Sequence, residues 1–176
     1  MPDHDVIAAT SQTLRQVLTD ALAPIGAVAE IHHLQGTLPT TPARLILFLF
    51  EVSEDPDARN RPSESGRSAF LSRRPPTALL LRYLISPCSG DPLADQRMLG
   101  LLMQTLHDSP VLSGPQLSGA LAGTEQVLTV TLAALTLEER AHLWQAVQQP
   151  YRLSLAYDVR GLYLAPTMNE DLPVPA

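Results

Sequence analysis

Two short apolar runs constrain this chain more than anything else in it. Leu45-Ile46-Leu47-Phe48-Leu49-Phe50 and Ala78-Leu79-Leu80-Leu81-Arg82-Tyr83-Leu84-Ile85 carry large hydrophobic side chains at odd and even positions alike. Successive strand residues point to opposite faces, so a strand with one wet face alternates apolar and polar residues. Strands that are apolar on both faces belong in the middle of a covered sheet. The rest of the chain must therefore supply both flanking strands and the layers that cover them.

Helical periodicity marks three candidates for cover. From Asp5 to Leu22, residues Ile7, Leu14, Val17, Leu18, Ala21 and Leu22 recur near helical spacing, Asp3 and Asp5 suit the positive end, and Pro24 and Gly26 close the segment. A second helix is predicted over Leu93 to His107, with Leu99, Leu102, Met103 and Leu106 as its apolar stripe and Asp108-Ser109-Pro110 as its stop. His107 at its end suits the negative pole of the helix dipole. The third helix opens with Thr136 and Glu139 at capping-box spacing, groups Leu137, Ala141, Trp144 and Val147 on one face, and stops at Pro150.

Further strands are predicted at Val28 to Leu34, Gln126 to Leu132 and Leu153 to Leu164, beside Arg44 to Val52 and Thr77 to Ile85. The last strand alternates, with Leu153, Leu155, Tyr157 and Val159 on one face and Ser154, Ala156, Asp158 and Arg160 on the other. Between the two apolar runs, residues 53–76 turn to Ser, Pro, Arg, Asp, Glu and Asn and are expected to form a mobile loop that orders on a partner. The expected fold is α/β of the α+β type. It is a single domain over residues 1–165, with a mixed or largely antiparallel sheet of about five strands flanked by three helices and an extended tail at 166–176.

Composition excludes several classes of function. All 12 basic residues are arginine against 18 acidic ones, and the net charge is −6. That balance argues against a phosphate-backbone footprint. The one basic concentration, Arg59, Arg61, Arg67, Arg73 and Arg74, shares its stretch with Glu64 and several prolines and reads first as a solvated loop. Arginine also forms forked pairs with carboxylates, which suits an interface. The acidic start and the absence of a long apolar run predict neither a signal peptide nor a membrane span, and a single cysteine fits a cytoplasmic, reducing setting.

No pattern in the chain carries catalytic, metal or cofactor chemistry. Cys88 is expected in a turn before a helix, without a local base or a nucleophile signature, and reads as an inert thiol. Adjacent His32 and His33 would point to opposite faces of a strand and cannot share an ion, and His4, His107 and His142 lack metal spacing. Glu51, Glu54, Asp55 and Asp57 lack the pattern of a calcium loop, and Gly114, Gly119 and Gly123 form no phosphate loop. Trp144 reads as core or as an interface anchor, with Gln145, Gln148 and Gln149 beside it as solvating or adaptable contacts.

Two segments carry a resemblance. Leu106-His107-Asp108-Ser109-Pro110-Val111-Leu112 and Gln148-Gln149-Pro150-Tyr151-Arg152-Leu153-Ser154, supported by Val6 to Leu14, Leu45 to Glu51 and Asn60, resemble the cap or tail-terminator proteins of contractile injection systems and phage-tail-like particles. The resemblance spans Asp5 to Leu164 and implies a phage tail-terminator fold. It also implies a structural, non-catalytic role, closing the inner tube and contacting the last sheath layer as a six-fold ring, first made in the cytoplasm and then built into the particle. Candidate interaction residues are Arg59, Arg61, Arg67, Arg73, Arg74, Trp144, Gln148, Gln149, Tyr151, Arg152, Asp158 and Arg160. The implied partners are further copies of the chain and the tube and sheath proteins, with no nucleic acid and no membrane insertion. Two rivals are a small cytoplasmic protein-binding adaptor without catalytic activity and an enzyme built around Cys88.

Overall fold

The computed structural model describes residues 4–59 and 76–164. In chain order the elements are α1 (Val6–Leu22), β1 (Val28–Ile31), β2 (Arg44–Glu54), the one-turn α2 (Pro56–Arg59), β3 (Thr77–Cys88), α3 (Pro92–Asp108), β4 (Val111–Ser113), β5 (Val127–Ala133), α4 (Leu137–Ala146) and β6 (Leu155–Leu164). The strands form one sheet in the order β1-β2-β3-β6-β5-β4. Only the β1–β2 pair is parallel. The two apolar runs lie side by side, with Leu47 opposite Ile85 and Leu49 opposite Tyr83.

One face of this sheet is covered by α1 and α3. Leu14, Leu18 and Leu22 from α1 and Leu99, Leu102 and Leu106 from α3 pack on Leu45, Leu47, Leu81, Tyr83, Ile85 and Val159, all buried. Each such leucine contributes roughly 1.5–3 kcal/mol by leaving water. The buried stripe of α1 also contains Thr10, Ser11 and Thr13, which hydropathy alone would not place inside. Thr10 and Thr13 return their hydroxyl protons to the carbonyls of Val6 and Ala9 at 2.8 and 2.9 Å, and Ser11 shares a 2.8 Å hydrogen bond with the Tyr83 hydroxyl. Satisfied in this way, they bury without a desolvation penalty.

The opposite face is covered at one end only. There α4 and the segment around Leu34 and Leu38 seat Trp144 among Ile46, Leu84 and Cys88, with Phe48, Phe50, Leu143 and Val147 at the margin. The Trp144 indole is fully buried and its Nε1 donates to Ser154 Oγ at 3.2 Å. The helix that carries it begins on the expected capping box: Glu139 N donates to Thr136 Oγ1 at 3.1 Å and Thr136 N to Glu139 Oε2 at 2.7 Å. The Thr136 amide, and after it the Thr136 hydroxyl at 2.9 Å, donate to the Glu139 carboxylate and hold it below its usual pKa range. It ends where Gln148 turns left-handed at φ 57° and Gln149 N donates to the Trp144 carbonyl at 3.0 Å.

The expected architecture stands, with corrections. The sheet has six strands because Val111–Ser113, too short to show a period, pairs with Val127–Thr129. A one-turn helix at Pro56–Arg59 occupies the beginning of the expected loop, whose residues 60–75 lie outside the described residues, as does the expected tail. Cys88 ends β3 opposite Arg44 and is buried, not in a turn. Asp5 stands at the N-cap of α1 but its side chain makes no capping bond. Met103 is exposed and Met98 buried, so the α3 stripe is rotated from the expected one; Leu137 and Leu153, expected inside, are 63% and 50% exposed because Leu137 opens the first turn of α4 and Leu153 precedes the first paired residue of β6. His32 and His33 lie beyond β1 and stack at 4.9 Å, not on opposite faces, since Leu34 turns the chain at φ 61°.

Candidate interaction surface

Beyond Trp144 the same sheet face becomes polar and open. Two bulges create this change. In β2, Phe50 is an extra residue between the pairs Leu49–Tyr83 and Glu51–Arg82, so Glu51 turns onto the face that Arg82 occupies. In β6, Arg160 and Gly161 together stand opposite Leu80, between the pairs Leu81–Val159 and Leu79–Leu162. Gly161 has φ 87°, and a Cβ there would lie 2.1 Å from the Val127 carbonyl oxygen. Only glycine lets the bulge and β5 approach this closely.

The result is a ladder of charges across three strands. Arg82 Nε donates to Asp158 Oδ1 at 3.0 Å and Arg82 Nη1 to Glu51 Oε2 at 3.2 Å. Those two carboxylates, Asp158 foremost, push the Arg82 pKa still higher despite partial burial. Further along, Arg160 donates to Asp57 and lies 3.8 Å from Asp55 Oδ1, which also accepts the Asp57 amide at 3.0 Å. Asp55 is buried, so the cluster read in the sequence as a solvated exit is in part a built ion pair.

Beside Arg160 the face deepens into a groove of about 740 Å³, whose lining includes Asp55, Asp57, Glu125, Gln126, Val127 and Tyr163. Three carboxylates there face one guanidinium. Val127 and Tyr163 are 48% and 38% exposed, and Gln126 Oε1 and Arg160 Nε are buried atoms without a hydrogen-bond partner. The surface therefore offers negative charge and some apolar area. The sheet edges offer less. β4 has three residues, and one amide of the four-residue β1, Ala29 N, donates to Thr19 Oγ1 at 3.1 Å.

The sequence-derived candidates fall in three places. Asp158 and Arg160 lie on the charged ladder, and Glu51, Arg82, Asp55, Asp57 and Gln126 join them from other strands and loops. The signal for Arg82 was its position as the lone charge in an apolar run. Gln148 and Gln149 line a separate hollow of about 470 Å³ with Gln35 and Gly36, and Gln149 Nε2 already donates to the Gly36 carbonyl at 3.0 Å. Tyr151 is 45% exposed, Arg152 Nη1 lies 3.6 Å from Cys88 Sγ, and Trp144 is enclosed in the smaller core. Arg61, Arg67, Arg73 and Arg74, and the Arg59 side chain, lie outside the described residues.

Among the described residues no group of His, Cys, Asp and Glu is placed to hold a metal ion, and no helix is long and apolar enough to cross a membrane. No curated protein matches the sequence. Solved structures share the fold, among them a terminator and a cap. One is the sheath/tube terminator, in the extended state, of the extracellular contractile injection system PVC, at 19% identity and TM-score 0.54, covering 100% of this chain and 64% of that one. The other is the tube-terminating cap of the anti-feeding prophage, at 22% identity and TM-score 0.55, covering 100% of this chain and 60% of that one. This chain thus spans about three-fifths of each neighbour's length. The profile described as the Pvc16 N-terminal domain matches residues 9–175, nearly all of the sequence, and the chain belongs to that family.

Proposed function

We propose that this protein is a structural assembly factor that caps a contractile injection particle, ending both its inner tube and its sheath as a six-subunit ring. The family match over residues 9–175 carries this reading. The folds of a sheath/tube terminator and a tube-terminating cap support it. A terminator must be a rigid plate that grips two concentric assemblies, and repeated weak contacts around a ring gain strength by multivalency. The plate here is a six-stranded sheet with one face packed under α1 and α3 and the other covered at one end.

The partners are further copies of the chain and the tube and sheath proteins, and the role needs no catalysis. Native mass spectrometry of the purified chain, alone and mixed with the tube and sheath proteins encoded beside it, tests the proposal. A six-subunit species, alone or only with those proteins, is expected. A monomer that ignores both proteins would leave the adaptor reading in its place.

A further inference from the structure

The groove beside Arg160 is an open face without an occupant among the described residues, and its chemistry specifies one. Asp55, Asp57 and Glu125 outnumber Arg160 in the lining. An occupant must bring cations with several N–H groups, and the exposed Val127 and Tyr163 would pack against its apolar parts. Lysine is absent from the chain, and its arginines concentrate in residues 60–75, where Arg61, Arg67, Arg73 and Arg74 meet only Glu64. That segment leaves α2 beside Asp57 and returns at β3, where Ala78 pairs with Tyr163. The acidic groove and the two points where the basic segment joins the described chain thus lie at one end of the molecule, and groove and segment each have the charge that the other lacks.

We propose that the groove of one copy receives the arginine-rich segment 60–75 of the next copy, an inference that rests on the ring assembly proposed above. Such a contact is heterologous: groove and segment are different patches, so each copy donates one and accepts one. Repeated around a closed ring it leaves no copy with an empty groove. Charge pairing at a rim sets which partner and which register are accepted more than it sets affinity.

A charge-swap experiment tests this. The groove variant Asp57→Lys with Glu125→Lys has a positive groove and a positive segment. The segment variant Arg67→Glu, Arg73→Glu and Arg74→Glu has a negative groove and a negative segment. Each alone is expected to lose the assembly seen for the wild-type chain by native mass spectrometry, and an equal mixture is expected to restore it with the two variants alternating. Restoration also shows that both variants fold. Should the mixture stay unassembled while a chain carrying all five substitutions assembles, the segment occupies its own groove and the contact between copies is overturned. Assembly of each variant unaided overturns it as well.

A second measurement separates this inference from the ring reading. A fluorescent peptide with the sequence of residues 60–75 is titrated into the full-length segment variant, whose acidic groove is intact while its own segment is negative, and into the groove variant. Binding to the segment variant that is about tenfold weaker in the groove variant, and that falls with added salt, is expected. Peptide binding by the segment variant when the wild-type chain forms no ring keeps the groove and removes the ring; a wild-type ring with no peptide binding by the segment variant removes the groove contact and keeps the ring.

Discussion

The two ends of one sheet face solve the same problem in opposite ways. At one end, β2 and β3 present Ile46, Phe48 and Leu84, and the chain covers them with its own Trp144. At the other end the same two strands present Glu51 and Arg82, joined by Asp158 of β6, and these charges neutralise one another and leave the Glu51 side chain 42% exposed. The difference is made by side-chain chemistry and two one-residue bulges, not by a change of fold. An apolar end must be covered within the chain, whereas a self-neutralised polar end is stable in water and free to meet a partner.

The largest effect is expected at the covered end. Trp144→Ala removes a fully buried indole and leaves Ser154 Oγ without its donor, at a cost of about 3–5 kcal/mol in chemical unfolding. Assembly, measured where the variant is still folded, should be unchanged. A loss of assembly at full folding would make the covered end part of the interface.

Next in size is the pH ceiling set by the face under α1 and α3. Burial pushes Tyr83 up to about 12 from 10.0, the Ser11 hydrogen bond opposing the rise. The protonated phenol is the form that the fold favours, so its contribution is complete below pH 10 and is lost as pH climbs from 10 towards 12. A rise of that size corresponds to roughly 3 kcal/mol. Unfolding midpoints measured across that window should drop for the wild-type chain and drop less for Tyr83→Phe. Equal slopes would mean that the tyrosinate is solvated and that this face is not sealed.

How much of this could be read from the sequence follows from the same physics. The apolar runs, the capping box and the Pro150 stop are local signals, and β2, β3 and α4 appear where those signals put them. Thr10 and Thr13 were not legible as core residues because helical back-bonding, which hydropathy ignores, satisfies their hydroxyls. The charged ladder was legible only in halves. Asp158 and Arg160 showed in the alternation of β6, but Glu51 would have counted as facing the other way had Phe50 not bulged, and bulges leave no period in the sequence. Asp55 looked like loop charge because its partner, Arg160, lies far along the chain.

A third prediction concerns the bulge that positions Arg160. Gly161→Ala must move either its own left-handed backbone or the Val127 carbonyl that its Cβ would meet. The expected cost is about 2 kcal/mol, smaller than at Trp144 because β5 and β6 can separate locally. Hydrogen exchange should show the loss confined to β5 and the end of β6, with the amides of α4 still protected. A change spread evenly over both ends would mean that they are not separable and would blunt the comparison.

The smallest effect should come from the ladder itself. Arg82 and Asp158 are 26% and 13% exposed in their side chains, so their 3.0 Å bond is only partly shielded from water. Cross-strand pairs in such positions contribute about 0.2–1 kcal/mol. A double-mutant cycle of Arg82→Met and Asp158→Asn, read by chemical denaturation, should give a coupling in that range. A weak coupling means that the open end can exchange its internal partners for external ones at little cost, as a docking face must. A coupling of about 3 kcal/mol or more would instead identify the pair as buried structural support, and the open end would then be a second core built from charge.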